Sequence, residues 1–201
     1  MSIKLSINFV KELKSESEME KFLSEFKAFV GSTELFDTDF CGEDSNKTFD
    51  FKDGNGPVPA KRHMNPDGSE GGWVAVTAEV DSNCYIGYNA RVYGNARVFE
   101  NARVYGNAQV SGDAQVYDYA WVYENAQVFG NARVYGDARV YGNAQVFGNA
   151  WVSGDARVFE NAQVLDNAQV SGDARVYGNA WVFGRTRVYE NALVCCDERR
   201  F

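Results

Sequence analysis

Beyond residue 73 the apolar positions follow one period of six. Counting from Val74 in steps of six reaches Val194 without an insertion, and every position on that count is Val except Ile86. This makes 21 units in strict register. Two residues before each Val stands Ala, replaced only by the small residues Gly72, Cys84 and Thr186. Side chains two apart share one face of a strand, and β-branched Val suits a strand. The pattern therefore predicts short strands whose inward face holds only Val and Ala around a narrow interior. The residues flanking Val point outward, mostly Arg, Gln or Trp before it and Tyr, Phe or Ser after it. Each unit then closes on Gly, Glu or Asp followed by Asn or Asp, the residue types that tolerate a sharp corner.

Asn89-Ala90-Arg91-Val92-Tyr93-Gly94 is a typical unit, repeated at Asn131–Gly136 and, with Asp in place of Asn, at Asp173–Gly178. Over roughly residues 72 to 196 this pattern resembles the hexapeptide-repeat left-handed parallel β-helix family. The resemblance implies three hexapeptides per triangular coil of 18 residues, and a left-handed winding that is exceptional among parallel β connections. The expected fold is mainly β: a left-handed parallel β-helix of about seven coils, about 30–35 Å long at a strand spacing of about 4.8 Å, preceded by a small α+β unit.

The organisation expected is an N-terminal α+β capping or interaction unit with a linker over 1–72, the β-helix over 73–196 and a charged tail over 197–201. All eight Lys lie within residues 4–61. Leu13, Met19, Phe22, Leu23, Phe26 and Val30 approximate one apolar face of a helix over Glu12–Val30, which Gly31 would stop. Thr48–Lys52 alternates as a short strand, Asp53–Pro57 is a turn cluster, and Asn65–Gly72 reads as a flexible lead-in. The turn cluster lacks the acidic spacing of a calcium loop. Pro59–His63 and Gly71–Val74 resemble the corresponding stretch of uncharacterised bacterial and phage hexapeptide-repeat proteins. Both ends of a β-helix need covering. The N-terminal unit is long enough to do that at one end; Cys195–Phe201 is a thinner, charged finish at the other.

Composition then narrows the function. The 201 residues carry a net charge of −8, which argues against a nonspecific nucleic-acid binder. The Met1–Ser6 start has neither the apolar core nor the cleavage site of a signal peptide, and no apolar run approaches the ~20 residues of a membrane span, so the cytoplasm is the expected compartment. Cys41, Cys84, Cys195 and Cys196 match neither a disulfide framework nor a zinc spacing. Many relatives implied by the resemblance are acyltransferases with a catalytic histidine and loops interrupting the coil. Here the coil is uninterrupted and His63, the chain's one histidine, precedes it. A carbonic-anhydrase-type zinc site, with three histidines, is excluded on the same count. The reading is therefore non-enzymatic, with no cofactor and no metal; an acyltransferase-like protein using His63 and a nucleic-acid mimic or binder are the alternatives.

Stacking by 18 sorts the outward residues into ladders. One face carries Gln109, Gln127, Gln145 and Gln163, expected to share amide hydrogen bonds. Another mixes Arg97, Gln115, Arg133 and Trp151 with Phe99, Tyr117 and Tyr135. The third sets Arg103, Trp121, Arg139, Arg157 and Arg175 beside Tyr105, Tyr123, Tyr141, Phe159 and Tyr177. These ten residues are the partner-binding candidates, because Arg, Tyr and Trp dominate interface hot spots. The expected activity is that of a scaffold presenting this Arg/aromatic face to a protein partner, which the phage resemblance extends to a factor blocking a host protein. A homodimer through a β-helix face or through the C-terminal coil is a further expectation.

Overall fold

The computed structural model describes residues 47–195 and the backbone of Arg199–Arg200. These residues are mainly β, with no helix among them; the helix expected over Glu12–Val30 lies outside the described residues. Three longer strands come first: β1 (Thr48–Asp50), β2 (Pro57–Met64) and β3 (Glu70–Ala75). Twenty two-residue strands follow at six-residue intervals, β4 (Glu79–Val80) to β23 (Leu193–Val194), and β24 (Arg199–Arg200) ends the series.

Every third strand joins the same sheet. The first sheet runs β1-β2-β3-β6-β9-β12-β15-β18-β21-β24, the second β4-β7-β10-β13-β16-β19-β22, and the third β5-β8-β11-β14-β17-β20-β23. From β3 onward all pairings are parallel with an 18-residue register, as in Arg139↔Arg157 and Val140↔Val158. The result is a parallel β-solenoid of about seven turns. The backbone ladder continues past Val194: Arg199 pairs Trp181, and Arg200 takes the register of Val182.

The inward stack is as narrow as the sequence demands. Ala and Val from Ala90 to Val182 are essentially inaccessible to solvent and form one continuous core. Cys84 occupies an Ala position at 0% exposure; burial pushes its thiol up to about 11, and it donates weakly to the Glu100 carbonyl. It is a core residue and no nucleophile.

The corners show why the acids fall where they do. The corner glycines from Gly94 to Gly184 hold φ between 66° and 72°, and Glu100, Asp118, Glu124, Glu160, Asp166 and Glu190 take the same left-handed conformation at 56–61°. A side chain there costs about 1–2 kcal/mol. Several of these acids recover it with a charge-assisted bond to the next coil. Asp118 Oδ2 accepts from the Gly136 N–H at 2.9 Å, Glu160 Oε2 from Gly178 at 2.8 Å and Asp166 Oδ2 from Gly184 at 3.0 Å.

Corner asparagines supply the amide ladder that the sequence reading assigned to glutamine. Asn107, Asn125, Asn143, Asn161 and Asn179 pass Nδ2→Oδ1 bonds of 3.1–3.3 Å from coil to coil. Among the described residues no Gln–Gln bond forms; Gln109 accepts from the Tyr93 hydroxyl instead. A short side chain fixed at a corner keeps its amide at the strand spacing, whereas Gln carries a further rotatable bond.

The lead-in is structured where the sequence suggested flexibility. β2 and β3 form an antiparallel hairpin on the edge of the first sheet, and β1 pairs with β2. Asn65 ties its turn: Asn65 N–H donates to Ser69 O, Gly68 N–H to Asn65 O, and Asn65 Nδ2 to Ser69 Oγ. Gly72 sits at an Ala position for a steric reason, since a β-carbon there would collide with the Ala90 carbonyl oxygen. Phe51, Ala60 and Ala75 make a second small core with Phe49, Val58, Trp73 and Tyr93.

Candidate functional site

The ten candidate residues all lie on the third sheet. Arg103, Trp121, Arg139, Arg157 and Arg175 occupy the first position of β8, β11, β14, β17 and β20, paired at consecutive registers. Tyr105, Tyr123, Tyr141, Phe159 and Tyr177 follow those strands and stack into one column. Their centroids are 5.0, 4.8, 5.0 and 5.1 Å apart and their planes lie within 3–6° of parallel. Rings so nearly parallel mean that successive coils barely rotate, so the face is flat. Shorter columns occupy the other sheets: Phe99–Tyr117–Tyr135 on the second and Phe129–Phe147 on the first.

Trp121 is held between Arg103 and Arg139, whose guanidinium carbons lie 5.3 and 5.2 Å from its ring. Arg157 and Arg175, by contrast, make no hydrogen bond, ion pair or ring contact among the described residues. Loss of water around the stacked phenols pushes Tyr123 up to about 12, with Tyr141 and Tyr105 adding to it, and raises Tyr105 as well. Both stay neutral across the physiological range, so the charge of this face is set by its arginines and its acids.

Three acids on this face escaped the reading of site residues. Asp137, Asp155 and Asp173 are exposed in the turns that lead into this sheet, two residues before Arg139, Arg157 and Arg175. The signal was present as Gly-Asp-Ala-Arg at 136–139, 154–157 and 172–175, spaced by 18. Tyr119, two residues before Trp121, is also prominent at 59% exposure.

A second cluster sits where the hairpin meets the first sheet. Arg62 lies over the rings of Trp73 and Tyr88, 4.6 and 4.0 Å from their centroids, and donates to the carbonyls of Tyr88 and Gly71. Arg91 lies over Phe49, which stacks on Trp73 at 4.8 Å. A cleft of about 430 Å³ opens beside them. The Arg62 guanidinium is already engaged on both ring faces and by two carbonyls, so this cluster packs the hairpin onto the coil.

His63 joins that packing. It is buried, with Nε2 2.9 Å from the Cys84 carbonyl oxygen, so that nitrogen carries the proton. Burial lowers its pKa from 6.5, and Lys61 lowers it further against the opposing pull of the carbonyl. Among the described residues no three His, Cys, Asp or Glu side chains are placed to hold a metal ion, and no helix is long and apolar enough to cross a membrane.

The family model of the YdcK beta solenoid repeat matches the coil at residues 90–106, 102–117, 108–124, 126–142, 138–154 and 168–184. The chain is thus a β-solenoid repeat protein whose coils are similar to those of that family. No curated protein and no solved structure matches it.

Proposed function

We propose that the protein is a non-enzymatic scaffold that offers its third sheet to a protein partner, while the N-terminal hairpin caps the coil. One observation carries this reading: a flat ladder of Arg and stacked aromatic rings in which Arg157 and Arg175 have no intramolecular partner among the described residues. Arg, Tyr and Trp are the side chains that most often anchor protein interfaces, and an ordered column of rings loses little entropy on docking. His63 spends one ring nitrogen on the coil backbone, which suits a structural part better than a general base. The reading takes the coil to wind left-handed as the hexapeptide resemblance implies, and the protein to act in the cytoplasm. Its furthest extension is a phage-type factor that blocks a host protein.

The test is affinity capture from nuclease-treated lysate, comparing wild type with the Arg139→Glu/Tyr141→Ala/Arg157→Glu variant, both checked for folding by thermal melting. A protein held by wild type and lost by the variant supports the scaffold and its face. Equal capture by both overturns the assignment of the face. Stabilisation by acyl-CoA with turnover abolished by His63→Ala would overturn the non-enzymatic reading, as would salt-sensitive competition with DNA for a DNA-binding target.

A further inference from the structure

We infer that the partner fitted by the third sheet is a second copy of this chain, laid face to face with the coils parallel and in register. The inference rests on the reading of that sheet as a binding face and names its occupant.

The corner before the third sheet differs from the one before the first. The corresponding corner before the first sheet stacks Asn107 to Asn179 in a hydrogen-bonded amide ladder. Before the third sheet the same rungs hold Asp137, Asp155 and Asp173, which make no hydrogen bond and no ion pair among the described residues. Beside them Arg139, Arg157 and Arg175 form a second like-charged column at the strand spacing of about 4.8 Å. Like charges on directly adjacent strands destabilise a sheet. An isolated coil therefore gives up an amide ladder for two repelling columns, one of each sign.

The two columns are complementary to each other. Asp, in the corner turn, and Arg, at the first position of the strand, stand two residues apart, at most about 6.6 Å along the edge of the face. A two-fold axis parallel to the coil and midway between the columns sets each Asp opposite the Arg of the same rung in the other copy. Asp137, Asp155 and Asp173 then meet the second copy's Arg139, Arg157 and Arg175, twice over by symmetry. The antiparallel arrangement sets Asp against Asp and Arg against Arg, and is disfavoured. The same axis brings Tyr119 of one copy to Trp121 of the other, an aromatic anchor beside three charged rungs. The near-parallel rings of the Tyr column show the flatness that keeps several rungs in contact at once.

The axis runs near one edge of a face about 34 Å tall, so the copies overlap along a strip of it and the dimer covers well under about 1,000 Å² in total. This lies at the weak end of specific interfaces, and with charge pairs carrying the register it predicts association that depends on concentration and on salt.

Sedimentation of the full chain tests this. Wild type should form dimers in the micromolar range and dissociate at least about tenfold more readily as salt rises from 50 to 500 mM. Arg139→Glu/Arg157→Glu/Arg175→Glu and Asp137→Arg/Asp155→Arg/Asp173→Arg should each be monomeric. The chain carrying all six changes should dimerise again, a rescue that no folding defect would produce; circular dichroism confirms that each variant keeps its strands. Wild type that stays monomeric to about 100 μM, or dimers that survive either triple change, overturn the inference. A monomeric wild type that still captures another protein through Arg139 and Arg157 overturns only the second copy as occupant, and leaves the binding face in place.

Discussion

The two ends of the solenoid solve the same problem differently. At the start of the coil, side chains reach across to the backbone edge. Asn65 Oδ1 accepts from the Ile86 N–H at 2.8 Å, His63 Nε2 donates to Cys84 O, and Arg62 donates to Tyr88 O. Phe49 and Phe51 then pack against the outward side chains Trp73 and Tyr93 of the first sheet, with Phe51 at 2% exposure and stacked 4.8 Å from Tyr93. At the far end β22 and β23 close their sheets, and only β24 extends the backbone ladder. The core loosens at both ends: Ala78 and Val80 are only partly buried at the start, and Val188 and Val194 are 5% and 4% exposed at the far end, against 0–1% from Val92 to Val182. At the far end the Thr186 hydroxyl is buried without a partner among the described residues, and an open cleft of about 470 Å³ lies along Thr186–Val194. The contrast teaches that the repeat supplies its own continuation but not its own termination, so a dedicated end needs residues that break the repeat.

Removing this packing should erase most of the contrast. Phe51→Ala deletes a buried ring and should cost about 3–5 kcal/mol in urea unfolding, whereas Leu193→Ala, at a position 60% exposed, should cost under about 1 kcal/mol. Asn65→Ala comes next. It leaves the buried N–H of Ile86, in the strand Tyr85–Ile86, unpaired and should cost about 1–3 kcal/mol. Hydrogen exchange localises the loss: Ile86 should exchange as a fraying end does, while amides near Val140 stay protected.

Acid should act on one end only. Burial holds the His63 pKa below 6.5, so the unfolded chain binds this proton more readily than the folded one. The stability tied to a neutral His63 is fully present above about pH 6.5 and falls as pH drops toward the lowered folded value. Melting temperature measured from pH 7.5 to 5 should show that slope in wild type, and the slope should shrink in His63→Gln. The smallest effect belongs to the other end. Thr186→Val keeps the shape and removes the unpaired hydroxyl, and should stabilise by up to about 1 kcal/mol in thermal unfolding.

The coil was legible in the sequence because a single rule, Val every six with a small residue two before it, decides inside from outside at each strand. With the three units per turn that the hexapeptide resemblance implies, the same rule placed all ten candidate residues on one face. The ends were not legible, because their contacts join residues with no common period. His63 and Asn65 reach Cys84 and Ile86 across 21 positions, and nothing in Asn65-Pro66-Asp67-Gly68 distinguishes a tied turn from a loose one. The role of the corner acids was not legible for a different reason. Their logic is a backbone conformation shared with Gly and a carboxylate aimed at the next coil's N–H, neither of which a residue count reveals. The Asp column was visible in three Gly-Asp-Ala-Arg units, but a pairing of two columns acquires meaning only once both are known to share a plane.

The 18-residue register has a consequence for how such a chain can change over generations. The core reads the sequence in a frame of six, and the surface reads it in a frame of eighteen. Loss or gain of one hexapeptide leaves every Val and Ala inside, yet advances all downstream outward residues by one face. A single such event between Asp137 and Asp173 would split the acidic column over two faces while the fold survived. Loss or gain of three hexapeptides shortens or lengthens the prism and keeps every column intact. The fold therefore tolerates slippage in units of six, and any function written on a face tolerates it only in units of eighteen.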